Sequence, residues 1–206
     1  MFRPVALLVA LAAALLVVPS ALAVRVHVRV EGKTRTIFGA ANPVLDVTSA
    51  RANALPENAL DALETASALG EFYYHLTQTG FGPYVDQVGR YAAAGQTGWV
   101  FKVNGVSPPV GADQVKLNAG DTVLWYWAQF GVAGGPKTLV LRRSGRCYTA
   151  LAQDDAGKTS PASGATLHVG SRRTVALPNG RACLAAHRGQ LVRATLEGAV
   201  RSNALP

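Results

Sequence analysis

Apolar and polar residues alternate strictly over residues 24–31, where the sequence reads VRVHVRVE. Side chains of a strand point alternately to the two faces of a sheet, so this pattern predicts a half-buried strand with one solvated polar face. Gly32 and Lys33 predict a turn, and residues 34–38 predict a returning strand. Residues 45–47 are expected to lie in a loop.

A helical spacing of apolar residues comes next. Leu60, Leu63 and Ala66 recur at intervals of three residues, which places them on one face of a helix. Pro56 stands where a helix can begin, and Gly70 stands where one commonly ends. The pattern therefore predicts one helix between these two residues.

Further strands follow this helix. Residues 72–76, 98–103 and 122–130 are rich in aromatic and β-branched residues, and Asn104-Gly105 is a strong hairpin-turn signal. Two strands, one helix and several more strands predict a mixed sheet with a helix crossing one face. The expected class is α+β, and the β-grasp arrangement is one such fold.

The last third of the chain has a different pattern. From residue 137 to residue 206, short apolar runs are separated by turn signals such as Asn179-Gly180 and Glu197-Gly198. Short strands at this spacing, without a helical pattern, predict an all-β sandwich.

Residues 1–23 have the organisation of a secretory signal. Arg3 is followed by an apolar run over residues 5–18, and Ala21-Leu22-Ala23 is a typical cleavage site. A retained membrane anchor is the alternative, although the apolar run is shorter than the ~20 residues that a spanning helix needs. We expect a mature chain beginning near Val24 that is secreted, extracellular or associated with the cell wall, with no integral membrane anchor after cleavage.

Charge divides the mature chain into two parts. Residues 24–136 contain eight Lys or Arg and nine Asp or Glu, whereas residues 137–206 contain eleven bases and three acids. The change falls at the Gly- and Pro-rich segment 131–136, which is typical of a linker. The expected domains are therefore residues 24–130 and 137–206.

The basic half suggests partners without identifying one. Its arginines either form an ordinary solvated surface or attract an anionic polymer of the cell envelope. An envelope protein or a small molecule is also a candidate partner. Nucleic acid is not expected, because the chain is exported and has no recognisable nucleic-acid module.

Two cysteines, Cys147 and Cys183, lie in the second domain. An oxidising compartment permits a disulfide between them, and two buried free thiols are the alternative. We expect the disulfide.

Motifs for catalysis and metal binding are absent from the sequence. It contains no nucleophile elbow, no zinc-protease motif and no phosphate-binding loop, and its four histidines are scattered. We expect no catalytic residue, no metal site, no cofactor and no enzymatic activity.

Aromatic residues concentrate in the first domain. The strongest candidates for contact with a ligand are Trp99, Phe101, Trp125, Tyr126 and Trp127, with Asn104 at the tip of the hairpin. Trp125 and Trp127 should share one face of a strand and Tyr126 should take the other. One face is expected either to expose its aromatic side chains for binding or to pack in the core or against the second domain.

The first domain resembles the transcobalamin-like C-terminal domain family. The matching residues are Trp99, Phe101, Val103 and Asn104-Gly105, then Gly111-Ala112, then Gly120-Asp121, Val123 and Trp125. The resemblance implies a β-grasp-like fold. In the vitamin B12 carriers of animals it implies one half of a cobalamin site, whose other half is a helical barrel domain that this chain lacks. In bacteria the family is mostly found in secreted proteins of undefined function.

The second domain resembles small immunoglobulin-like or carboxypeptidase-regulatory-like domains of bacterial surface proteins. The matching features are Gly164-Ala165, the Asn179-Gly180 turn, Ala182, Gly189 and the strand over residues 193–195. Such domains are usually spacers or binding platforms. We therefore expect a cell-envelope protein that binds or presents a partner without catalysis, with cobalamin binding or adhesion to anionic cell-wall polymers as alternatives.

Overall fold

The structure is a computed structural model, and it describes residues 23–49, 55–131, 134–169, 172–175, 179–187 and 189–206. The predicted signal peptide lies outside the described residues except for Ala23. We call residues 24–131 the N-terminal body and residues 134–206 the C-terminal body.

The described chain is mostly β and contains one α-helix. The N-terminal body contains β1 (Val24–Glu31), β2 (Thr36–Phe38), β3 (Val44–Val47), α1 (Ala59–Gly70), β4 (Tyr74–Thr79), β5 (Gly82–Val88), β6 (Tyr91–Ala92), β7 (Thr97–Val103) and β8 (Thr122–Gln129). The C-terminal body contains β9 (Thr138–Ser144), β10 (Cys147–Gln153), β11 (Thr159–Pro161), β12 (Thr166–Val169), β13 (Arg172–Val175), β14 (Arg181–Cys183) and β15 (Val192–Thr195).

A five-stranded mixed sheet forms the centre of the N-terminal body. Its order is β2-β1-β8-β7, and β3 also pairs with β1. Strands β1 and β8 are parallel, while the other pairs are antiparallel. The expectation that residues 45–47 form a loop is wrong, because Leu45 pairs with Val26 across β3 and β1. Leu45 and Val47 are buried, so the short strand places apolar side chains in the core.

Helix α1 covers one face of this sheet. It begins at Ala59, after Asn58 rather than directly after Pro56, because Asn58 caps it. The Asn58 side chain accepts hydrogen bonds from the backbone N–H groups of Leu60 and Asp61, each at 2.9 Å. The Asp61 carboxylate accepts from the Asn58 N–H at 3.1 Å in return, which completes a capping box. The predicted stripe of Leu60, Leu63 and Ala66 is fully buried against the sheet.

The C-terminal body covers the part of the opposite face that carries Glu31, Leu124 and Tyr126. The prediction of a solvated polar face on β1 is therefore wrong for its second half, where Arg29 and Glu31 are buried. The Glu31 carboxylate pairs with Arg29 at 3.2 Å and with Arg201 of the C-terminal body at 3.0 Å. Leu124 and Tyr126 form an apolar cluster with Val200 on the same face.

Two small sheets build the C-terminal body. One contains β11-β10-β14 with β9 beside β10, and the other has the order β13-β12-β15. They share one apolar core that includes Leu139, Tyr148, Leu167 and Val192. The predicted disulfide is confirmed: Cys147 and Cys183 are bonded and lie opposite each other on β10 and β14.

Replacement of the buried carboxylate, Glu31→Gln, is expected to lower the free energy of unfolding by about 3–5 kcal/mol, because Arg29 would remain buried without a compensating charge. Urea denaturation followed by circular dichroism measures this change.

The matched control is Asp46→Asn. Asp46 pairs with Arg25 at 3.5 Å, but both side chains are 72% exposed, so the loss should stay below about 1 kcal/mol. Equal effects of the two substitutions would contradict the importance of the buried network.

Removal of the disulfide by the double substitution Cys147→Ala and Cys183→Ala is expected to lower stability by about 3–4 kcal/mol, because the bond closes a loop across 36 positions in the unfolded chain. A guanidinium midpoint identical to that of the parent protein would argue against this stabilisation.

Candidate functional site

A cavity of about 320 Å³ lies along the edge of strand β7. Strand β5 forms one wall through Pro83 and Tyr84, and the segment 107–112 forms another. Asp155, from the turn between β10 and β11, is the contribution of the C-terminal body. Because β7 is the last strand of its sheet, the cavity bends around the strand edge and is lined by residues from both faces.

Aromatic side chains on the helix side of the sheet form one part of the lining. The Trp99 indole donates to the Tyr91 carbonyl at 2.7 Å, and the Trp125 indole donates to the Ala59 carbonyl at 3.1 Å. Phe101 stacks on Trp125 with a ring separation of 5.0 Å. These contacts hold the three rings in fixed orientations, so the wall is formed before any ligand arrives.

Tyr126 lines the cavity from the other face of the sheet. Burial, followed by the charge of Asp155, raises the pKa of the Tyr126 phenol to about 12. The phenol is therefore neutral at physiological pH and offers a polar group without a charge.

Asp155 is the acidic group in the lining, and its charge is balanced. Its carboxylate lies 3.2 Å from the ammonium of Lys102, which is fully buried, and accepts a hydrogen bond from the Ser107 hydroxyl at 3.1 Å. Burial lowers the pKa of Lys102, while the neighbouring Asp155 opposes that shift. The ion pair therefore joins the two bodies at one end of the cavity.

Exposed apolar side chains surround the mouth. Tyr84, Val110 and Phe130 line the cavity and are 39%, 50% and 37% exposed. Phe81, at the tip of the β4–β5 hairpin, is 97% exposed, and its carbonyl lies beside Gly111 of the lining. Apolar groups gathered at one place on a surface are typical of a binding site.

The structure brings together four of the six predicted ligand-contact residues. Trp99, Phe101, Trp125 and Tyr126 line the cavity, whereas Trp127 and Asn104 do not. Trp127 lines a separate depression, where the Lys33 ammonium lies 5.1 Å from its ring. Asn104 donates to the Asp121 carboxylate at 2.7 Å, and its φ of 52° fits the predicted hairpin turn.

Neither face of strands β7 and β8 exposes the predicted aromatic side chains as a continuous surface. Trp99, Trp125 and Tyr126 are each only 2% exposed, because α1 covers one face of the sheet and the C-terminal body covers the other. The predicted alternation is confirmed, since Trp125 packs on the helix side and Tyr126 on the opposite side. Access to the buried rings is through the cavity at the strand edge.

Several lining residues were missed by the sequence analysis. Val110 and Pro108 belong to the SPPV segment after the hairpin, which has no periodic pattern. Asp155 is distant in sequence and reaches the cavity only through packing of the two bodies. For Tyr84 and Phe130, the aromatic side chain was the sequence signal that could have indicated a place in the lining.

Residues 57–129 match a family model described as "Domain of unknown function (DUF4430)". The matched segment runs from two residues before α1 to the end of β8 and includes most of the cavity lining. No curated protein matches the chain.

The described residues contain no cluster of three or more His, Cys, Asp or Glu side chains able to hold a metal ion. Within the same part of the chain, no helix has both the length and the apolar character needed to cross a membrane. The disulfide between Cys147 and Cys183 fits an extracellular location.

An alkaline titration of phenolate absorbance should show a transition near pH 12 that belongs to Tyr126, because this phenol is buried beside a carboxylate. Asp155→Asn should lower this pKa, since it removes a negative charge that opposes phenolate formation. Circular dichroism recorded in parallel identifies the range in which the protein is folded. Absence of the transition near pH 12 in the Tyr126→Phe variant would assign the transition to Tyr126. A transition near pH 12 that persists in this variant would contradict the assignment.

Proposed function

We propose that this chain is a secreted cell-envelope protein that binds a partner in the aromatic cavity without catalysis. The observation that supports the proposal is the combination of a preformed aromatic lining with exposed apolar side chains at its mouth. Ligand sites in proteins are typically concave and mostly apolar, with a few polar groups that orient the ligand.

The proposed architecture is a β-grasp-like domain followed by an immunoglobulin-like sandwich. A mixed sheet with a helix packed on one face supports the first assignment, and two sheets around one core support the second. In this arrangement the first domain provides most of the site. The second supports the sheet from behind and completes the lining with Asp155.

A cobalamin-like ligand is the second candidate. Trp99, Phe101 and Trp125 belong to the motif that resembles the transcobalamin-like family, and all three line the cavity. Its volume of about 320 Å³ lies at the lower end of the usual ~300–1,000 Å³ range, which favours a ligand smaller than a corrinoid. A flat absorbance titration with cyanocobalamin would remove this candidate.

Adhesion to anionic cell-wall polymers is a further candidate for the C-terminal body. Arg142, Arg143, Arg146 and Arg181 are exposed on it. This surface would act by long-range attraction and be sensitive to salt. It is compatible with ligand binding at the cavity, because the two surfaces involve different residues.

The cavity can be tested with the uncharged fluorescent dye N-phenyl-1-naphthylamine, whose emission rises in apolar surroundings. The parent protein should bind the dye, and Val110→Arg should weaken binding by at least about tenfold, because a long charged side chain would occupy the mouth.

Val44→Arg is the matched control, since Val44 is 45% exposed, similar to Val110, but does not line the cavity. Its dye affinity should equal that of the parent protein. Equal affinities for the parent protein and Val110→Arg would overturn the proposed site.

A further inference from the structure

Strand β7 presents one side of its backbone to the cavity rather than to another strand. The Phe130 N–H donates to the Gln96 carbonyl, and the Asn104 N–H donates to the Thr122 carbonyl, each at 2.8 Å. Directly opposed residues of antiparallel strands alternate between hydrogen-bonded and non-hydrogen-bonded pairs. With the observed register, the even-numbered residues of β7 bond to β8, and the odd-numbered residues direct their N–H and C=O groups away from the sheet.

Both ends of this outer edge are closed by local pairing. Thr97 exchanges backbone hydrogen bonds with Ala94, and Val103 exchanges them with Val106. Within the described chain, the outward N–H and C=O groups of Trp99 and Phe101 have no hydrogen-bond partner. A window of unpaired backbone therefore remains between two closed ends.

The window coincides with the cavity. Trp99 and Phe101 both belong to the lining, and Pro83 and Pro108 contribute to the surrounding walls. Proline has no N–H group, so neither Pro83 nor Pro108 can donate a backbone hydrogen bond to the open carbonyls of β7. Groups that satisfy the edge must therefore come from a ligand or from water.

We infer that the cavity binds a short, extended peptide segment, which pairs through its backbone with Trp99 and Phe101 as an added strand. The inference rests on the proposed function and specifies the partner class. Alternate residues of an extended peptide present N–H and C=O groups at the same repeat as alternate residues of β7. An entirely apolar ligand would instead remove water from these backbone groups without replacing its hydrogen bonds.

The lining also constrains the side chains of the peptide. Aromatic and aliphatic walls around a cavity of about 320 Å³ favour small apolar side chains. The charged residue of the lining, Asp155, is already paired with Lys102, so the lining offers no unpaired charge to a charged peptide side chain. The expected partner is a neutral peptide segment with small apolar residues at alternate positions.

The test begins with a display library of random octapeptides, from which those that bind the chain from Val24 onward are selected. Peptides that also bind the Val110→Arg variant are removed. The selected peptide is then synthesised with single backbone N-methyl groups at successive positions. Methylation at alternate positions should weaken binding by about tenfold or more, because an N-methyl group cannot donate to β7, while methylation at intervening positions should have little effect.

Hydrogen–deuterium exchange supplies an independent readout. With the peptide bound, the backbone amides of Trp99 and Phe101 should exchange at least about tenfold more slowly than in the free protein. The Val44→Arg variant should show the same slowing as the parent protein. The inference is overturned if no peptide prefers the parent protein to Val110→Arg, or if N-methylation has no alternating effect. In either case, the proposed function would still hold if the parent protein binds the uncharged dye in the cavity. If the parent protein does not bind the dye either, both the proposed function and this inference are overturned.

Discussion

The buried carboxylate of Glu31 lies on the part of the five-stranded sheet that the C-terminal body covers, and this burial carries an electrostatic cost. An isolated charge inside a protein is strongly unfavourable, so Glu31 requires partners. Arg29 on the same strand and Arg201 from the C-terminal body provide them, and Thr36 adds hydrogen bonds at 3.0 Å. The network therefore specifies how the two bodies meet, since Glu31 loses a counter-charge if they separate.

The position of the cavity follows from this arrangement. With α1 on one face and the C-terminal body on the other, the aromatic side chains of β7 and β8 are buried between layers. At the edge of β7 this interior meets a recess lined by β5 and residues 107–112. The ion pair between Lys102 and Asp155 fixes the C-terminal body at the same place, so the site depends on both bodies.

Local signals in the sequence predicted much of the N-terminal body. Alternating valines gave β1 with the observed bounds, and the Asn104-Gly105 turn appears with positive φ at both residues. Errors arose where the outcome depended on distant residues. Pairing with Val26 makes Leu45 part of a strand rather than a loop, and contact with Arg201 buries Glu31.

The sequence by itself determined the periodicities, the single helix with its apolar stripe, the two cysteines able to bond and the strand that carries Trp99 and Phe101. These features depend on residues close together in the chain, or on the chemistry of one residue type. Only the tertiary structure decided which aromatic rings are accessible, because accessibility depends on what covers each face. It also decided that Asp155 closes a cavity at the β7 edge, since no periodic pattern links residues that come together through the packing of two separate bodies.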